Sequence, residues 1–256
     1  MPELSIIIPA YNEEGRLPRT LERIREYFDA RPSGAEAVEV LVVDDGSSDG
    51  TARIAKEWTQ RVPGWRLVSN GANRGKGYSV RNGMLEARGR IALFTDADLS
   101  SPIEESHKLL AALAAGHEVA VGSRAIDRSL IEKRQARYRE LAGIIFNGFV
   151  KLFTRLPIED TQCGFKAFVR EPSRVIFEQQ RIEGFGFDPE ILFLAKRHGL
   201  RIAEVPVRWA HDPATKVNVF ADSIRMFGDL VFIWWNDLLG RYPISEQQPK
   251  RHAATL

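Results

Sequence analysis

The sequence predicts an α/β protein built on a mostly parallel sheet flanked by helices, and three observations carry that prediction. Short apolar runs rich in β-branched residues alternate with longer segments of helical character, the pattern of βαβ units. Polar clusters stand directly after the apolar runs, at the carboxyl ends of strands, where open α/β sheets hold their ligands. The chain has 256 residues, enough to bury a substantial core by packing alone, and its single cysteine, Cys163, cannot form an intramolecular bridge.

Leu4 to Ile8 reads as a first buried strand, followed by Pro9-Ala10-Tyr11-Asn12-Glu13-Glu14 and a helix over Arg16 to Phe28. Val38 to Val43, apolar except for Glu39, reads as the second; Asp44-Asp45-Gly46-Ser47-Ser48-Asp49-Gly50-Thr51 then turns into a helix over Thr51 to Trp58, with Ser48 or Asp49 placed to cap it. Trp65 to Ser69 forms the third strand, and Asn73-Arg74-Gly75-Lys76-Gly77 leads into a helix over Lys76 to Ala87. Ile91 to Thr95 is the fourth strand, succeeded by Asp96-Ala97-Asp98 and a helix over Ile103 to Ala115. Val119 to Val121 is the fifth, followed by Gly122-Ser123-Arg124.

From about Ala125 the organisation changes. A helical stretch over Arg139 to Arg155, a loop Asp160-Thr161-Gln162-Cys163-Gly164-Phe165-Lys166, and a helix near Pro189 to His198 are expected, then a short strand over Ile202 to Trp209 and an apolar helix over Phe220 to Leu239. No linker separates these from the first half, so 1–242 is expected to be one domain with 243–256 as a flexible tail.

Composition excludes several classes. The 36 Lys and Arg against 34 Asp and Glu leave a formal charge of +2, without the basic excess of a dedicated nucleic-acid binder. The opening residues lack a basic region before their short apolar run, and Leu230 to Trp235 is bounded by Asp229 and Asn236-Asp237, well short of the roughly 20 residues a membrane span needs. The first strand is not followed by GxGxxG, which argues against a dinucleotide site. The five histidines form no zinc pattern, and Cys163 lacks a nucleophile's context.

Asp96 and Asp98 are spaced to place two carboxylates on one side of an extended segment. Such a pair suits Mg2+ or Mn2+, which take hard oxygen ligands and substrate phosphates; it equally suits an N-cap ahead of the following helix. The Asp44 to Thr51 segment can serve both as a βα turn and as a wall for a ribose or base. In Asn73 to Gly77 the glycines permit close backbone approach and the cations suit phosphate.

Taken together, Ile8 to Glu13, Asp44 to Thr51, Asn73 to Gly77, Asp96 to Asp98 and Gly122 to Arg124, in this order, resemble the family 2 glycosyltransferases of GT-A fold. Asp160 to Lys166 and Val207-Arg208-Trp209 followed by Lys216-Val217 resemble the dolichyl-phosphate β-glucosyltransferase and mannose synthase branch, and the likeness covers residues 4 to 242. It implies a nucleotide-sugar half over 1–124 and an acceptor-side half over 125–242. By that resemblance Pro9, Tyr11, Glu13, Val43 and Asp45 hold the nucleoside, Lys76 lies with the donor's phosphates, and Asp96, Ala97 and Asp98 hold the diphosphate through Mg2+ or Mn2+. Where the mannosyl branch often has Gln two positions after the second Asp, this chain has Ser100. Arg124, Arg139 and Lys216 match positions used around the donor diphosphate and acceptor phosphate, although Lys133, Arg134 and Arg137 lie close enough to leave the register of Arg139 open.

The implied reaction is an inverting transfer of a hexose, glucose first and mannose next, from a nucleotide sugar to a polyprenyl or dolichyl phosphate. Asp98 and Arg124 support the leaving group, and Asp160 becomes a candidate base only if the acceptor is a saccharide hydroxyl. A non-catalytic sugar-nucleotide-binding protein is the rival from another class. Leu141 to Phe153 and Phe227 to Leu239 read either as core helices or as helices in a membrane interface, and the expected location is cytoplasmic, peripheral at a membrane face.

Overall fold

The computed structural model describes residues 2–31, 38–211 and 219–244. Its centre is a seven-stranded sheet made of β1 (Leu4–Ala10), β2 (Val38–Asp44), β3 (Arg66–Ser69), β4 (Ile91–Thr95), β5 (Val119–Ser123), β7 (Phe165–Val169) and β8 (Ile202–Pro206), in the order β3-β2-β1-β4-β7-β5-β8. A small parallel pair, β6 (Ile131–Lys133) with β9 (Trp209–Ala210), stands apart from it. The helices are α1 (Leu17–Asp29), α2 (Thr51–Arg61), α3 (Lys76–Glu86), α4 (Ser106–Ala114), α5 (Arg137–Thr154), α6 (Arg170–Gln179), α7 (Phe187–Arg197) and α8 (Val219–Leu238).

The core lies on both faces of the sheet because strand side chains alternate. Ile6 and Ile8 of β1 and Leu93 of β4 pack against Leu17, Leu21 and Ile24 of α1, Trp58 of α2 and Leu109 of α4. Ile7, Val43 and Phe94 face the other way, toward Val80 of α3, Ile176 of α6, Phe187 and Ile191 of α7, and Leu230 and Ile233 of α8. Glu39, the one charge inside the second apolar run, is buried yet satisfied. It accepts hydrogen bonds from Ser5 Oγ at 2.5 Å, Arg66 Nε at 2.8 Å and Arg88 N at 2.9 Å.

The first half follows the sequence closely except at the start of one helix, while the second half departs from it in three places. Phe165 and Lys166 are not loop residues: they begin β7, which inserts antiparallel between β4 and β5 and so separates two strands that the chain order suggests as neighbours. Lys166, second in Phe165-Lys166-Ala167-Phe168-Val169, disguises the strand, since a lysine rarely lies in a buried run. Helix α6 follows at once. The expected strand over Ile202 to Trp209 ends at Pro206, and Trp209 pairs with Ile131 of β6 instead. The expected helix over Ile103 to Ala115 opens with a 3-10 turn over Ile103–Glu105.

Helices α5 and α8 pack on each other through Phe149 and Phe227, with ring centroids 5.2 Å apart. Their inner faces bury Phe146, Val150, Leu230 and Ile233, while Leu141, Ile144, Leu152, Ile224, Trp235 and Leu238 are exposed. Among the described residues no helix is long and apolar enough to cross a membrane. Most of the expected tail, from Ser245 onward, lies outside the described residues; Pro243 is tied down, its carbonyl accepting from Gln179 Nε2 at 2.6 Å.

Candidate active site

The carboxyl ends of β1, β2 and β4 open into a cleft of about 390 Å³ that Pro9, Tyr11, Glu13, Asp45, Lys76, Asp96, Ala97 and Asp98 line together. Of the residues expected around a donor, Val43 and Arg124 stand apart from it. Val43 is fully buried in β2 and directs its side chain at Gly83 of α3, and Arg124 belongs to a neighbouring cleft.

Asp45 does its work inside the wall. Its Oδ1 accepts from Asn70 Nδ2 at 2.7 Å and Arg74 N at 3.0 Å, and its Oδ2 from Gly75 N at 2.8 Å, so the carboxylate shapes the segment that carries Lys76 to the cleft. That segment lies so close to Gly46, which has φ of 72°, that a side chain there would stand 2.6 Å from the Ala72 carbonyl carbon. Glu13 is held by both arms of Arg16, at 2.6 Å from Nε and 2.8 Å from Nη2.

Asp96 and Asp98 follow β4, and Thr20 of α1 supports the turn between them by donating to the Ala97 carbonyl at 2.5 Å. Leu99, with φ of 49°, reverses the chain so that Ser100 N donates to Asp98 Oδ1 at 2.9 Å. Thus Ser100 supports Asp98 through its backbone. Lys76 Nζ lies 2.6 Å from Asp96 Oδ1, and Arg16 Nη1 3.9 Å from Asp98 Oδ2. Burial, and then the like charge of Asp96, push the Asp98 carboxyl above the ordinary aspartate range.

This donor set fits a divalent cation. Among the described residues no group of three or more His, Cys, Asp or Glu side chains is arranged to hold a metal. Two crowded carboxylates at the mouth of a cleft are what Mg2+ or Mn2+ uses when substrate phosphates and water complete the shell, and a cation would relieve the repulsion that raises Asp98.

The neighbouring cleft, of about 400 Å³, is lined by Arg124, Arg128, Arg134, Lys151, Asp160 and Trp209 among others. Arg124 grips Asp160 in a bidentate pair, Nε to Oδ2 and Nη2 to Oδ1 both at 2.7 Å, and its backbone N donates to the same carboxylate at 2.9 Å. The Arg124 guanidinium also lies 5.3 Å from the centre of the Trp209 ring. Burial alone would raise the Asp160 pKa, but the charge and hydrogen bonds of Arg124 outweigh it and hold the carboxyl below the ordinary range. Burial likewise opposes the Arg124 charge, and Asp160 outweighs it.

A depressed folded-state pKa gives stability that is present above the unfolded value and lost as pH falls through the folded one. Wild type is therefore expected to unfold at a higher temperature than Asp160→Asn near pH 7. That advantage should shrink once pH drops below about 3.9, the ordinary aspartate value. Melting curves of both proteins across pH check this, and an advantage that grows in acid would contradict it.

Arg139 does not line this cleft; its Nε donates to Tyr138 Oη at 3.3 Å. Lys216 lies outside the described residues. Arg128 and Arg134 stand there instead, and no pattern within a cation-rich stretch tells which members face inward. Sequence reasoning also passed over Phe185, which lines the first cleft, and over Asp188, which ion-pairs with the buried Lys166 behind it. An acidic residue in the first turn of a helix carries no mark that sets it apart from dipole stabilisation.

A sequence profile described as "Glycosyl transferase family 2" matches residues 5–177. The chain belongs to that family and is a glycosyltransferase, its sheet and flanking helices forming the GT-A fold. Its relatives include the dolichyl-phosphate beta-glucosyltransferases of Drosophila melanogaster and Dictyostelium discoideum. The first is 38% identical, covering 97% of this chain and 79% of the relative; the second is 36% identical, covering 94% and 76%. Among solved structures, glucosyl-3-phosphoglycerate synthase from Mycobacterium tuberculosis, in complex with Mn2+, uridine diphosphate and phosphoglyceric acid, superposes with a TM-score of 0.62. That match has 22% identity and covers 96% of this chain and 80% of that one, a likeness of fold.

Proposed function

We propose that this enzyme transfers glucose from UDP-glucose to a polyprenyl phosphate of the dolichyl type, in one inverting displacement assisted by Mg2+ or Mn2+. One observation carries the reading: every carboxylate lining this cleft is paired with a cation, Glu140 with Arg128, Glu159 with Lys151, and Asp160 with Arg124, which keeps Asp160 below its ordinary pKa. Such a group is a poor proton acceptor. A sugar hydroxyl needs a base, whereas a phosphate is already an anion near neutral pH and needs only positive charge to place it. Arg124, Arg128, Arg134 and Lys151 line the cleft against Glu140, Glu159 and Asp160, and the one positive charge in excess supplies that need.

The names of the relatives support glucose and a dolichyl phosphate, and the Mn2+ and uridine diphosphate of the structural neighbour support the metal and the donor. Pro9, Tyr11 and Glu13 would line the nucleoside, with Val43 behind them in the sheet and Asp45 shaping the adjoining loop. Asp96 and Asp98 would hold the divalent ion, which when bound neutralises charge developing on the leaving diphosphate. Lys76 is within reach of those oxygens once it releases Asp96. Arg124, aligned by Asp160, places the acceptor phosphate so that its oxygen meets the anomeric carbon opposite the leaving group. An α-linked donor then gives a β-linked product. Arg139 would serve the phosphate from outside the cleft lining, and Lys216, which lies outside the described residues, is proposed for the same phosphate.

The exposed apolar residues of α5 and α8 support peripheral contact with a membrane, for which we propose the cytoplasmic face, and Ile144 belongs both to that surface and to the arginine-lined cleft. A lipid seated along α5 could thus present its phosphate to Arg124. Replacing Trp235 and Leu238 by Ser is expected to weaken flotation with phosphatidylserine vesicles about tenfold or more, since each side chain contributes roughly 1.5–3 kcal/mol when buried. Unchanged flotation would remove α8 from the contact. The function itself is tested by offering radiolabelled UDP-glucose or GDP-mannose with polyprenyl phosphate. Label is expected in the organic extract from UDP-glucose; label on a soluble saccharide instead would favour the hydroxyl-acceptor reading.

A further inference from the structure

The Lys166–Asp188 pair is costly and has no part in the chemistry described so far. Lys166 is fully buried and Asp188 nearly so, and an ion pair in such surroundings is often no more stabilising than apolar residues of the same volume. What the pair holds is more specific. Lys166 Nζ donates to Asp188 Oδ1 and, at 2.6 Å, to the carbonyl oxygen of Cys163. It therefore fixes the peptide between Cys163 and Gly164.

That peptide lies against the metal-site carboxylate. In the antiparallel ladder of β4 and β7, Phe94 pairs with Lys166 and Thr95 with Phe165. One further step of the same register sets Gly164 opposite Asp96. The approach is so close that a methyl group on Gly164 would stand 2.6 Å from Asp96 Cγ. Gly164 is not among the glycines with positive φ, so a methyl group there meets no backbone strain and would be accommodated by moving the Asp96 carboxylate. Asp96 is thus confined between the Lys76 ammonium on Oδ1 and the Gly164 backbone.

We propose that Gly164, held in place by the buried Lys166–Asp188 pair, is a positioning element that fixes the Asp96 carboxylate for divalent-metal binding. Asp188 comes from the first turn of α7 and Lys166 from β7, so the pair ties the acceptor-side half of the chain to a carboxylate of the donor-side half. This inference rests on the metal reading of the proposed function.

The test uses Mn2+ titrations followed by electron paramagnetic resonance, with UDP present, on wild type and two variants. Gly164→Ala adds only the methyl group. Lys166→Met/Asp188→Leu removes the pair together, so that neither charge is left buried alone and the fold survives. Each variant is expected to bind Mn2+ about tenfold to a hundredfold more weakly, the usual effect of disturbing the groups that orient a metal ligand. UDP affinity without metal and the unfolding temperature should stay near wild type. Wild-type Mn2+ affinity in either variant, shown folded by its melting curve, would overturn the inference. Absence of Mn2+ binding by wild type itself would overturn the metal reading, and this inference with it.

Discussion

Replacing Asp98 by alanine is expected to lower the rate of sugar transfer by about a thousandfold while leaving the fold intact. The rate effect follows from the leaving group: removing one preorganised charge-stabilising contact costs about a hundredfold to a thousandfold. Loss of a carboxylate from a two-carboxylate cation site belongs at the upper end of that range. The stability expectation has the opposite sign. Asp98 is raised above the ordinary aspartate range by burial and by Asp96, so its charged form opposes folding above that range. Without metal, Asp98→Ala and Asp98→Asn should melt no lower than wild type at neutral pH. Unaltered turnover in either would remove Asp98 from the metal site.

Replacing Arg124 by alanine should damage both turnover and stability. Asp160 would be left as a buried carboxylate without its bidentate partner, and breaking such a pair costs about 3–5 kcal/mol. The loss of the guanidinium from the acceptor cleft should also lower turnover about a hundredfold or more. A second variant separates the effects. Arg124→Met/Asp160→Leu leaves no unpaired charge at that spot and should regain most of the stability but none of the activity. Recovery of turnover in the double variant would show that Arg124 only supports the fold.

The parts of the molecule that were legible in the sequence have a shared physical cause. Leu4 to Ile8, Val38 to Val43 and Ile91 to Thr95 are parallel strands covered on both faces, so they read as nearly continuous apolar runs, and even buried Glu39 does not hide the second. Cleft residues were legible because such sheets expose their strand ends, which is why Pro9, Tyr11, Lys76, Asp96 and Asp98 share one cleft. The second half resisted for the reverse reason. Strand β7 carries Lys166 as its second residue, and the charge that makes its burial tolerable, Asp188, lies 22 positions away. Helix α6 has Pro172 in its first turn, which reads as a break although proline is accepted at that end of a helix. Asp45 and Asp160 stand out in the sequence as candidates and each lines a cleft, but their partners, the Gly75 amide and the Arg124 fork, are long-range contacts that no local pattern encodes.

The central claim, inverting glucosyl transfer onto a lipid phosphate, is tested most directly by the anomeric configuration of the product. The enzyme would be incubated with UDP-glucose, dolichyl phosphate and Mn2+, and the organic-extracted lipid examined by proton and phosphorus nuclear magnetic resonance. The account predicts a single glucosyl phosphate with β configuration, formed by wild type and absent with Asp98→Ala. An α-linked glucosyl lipid, or glucose transferred to a hydroxyl while the lipid phosphate stays free, would contradict it.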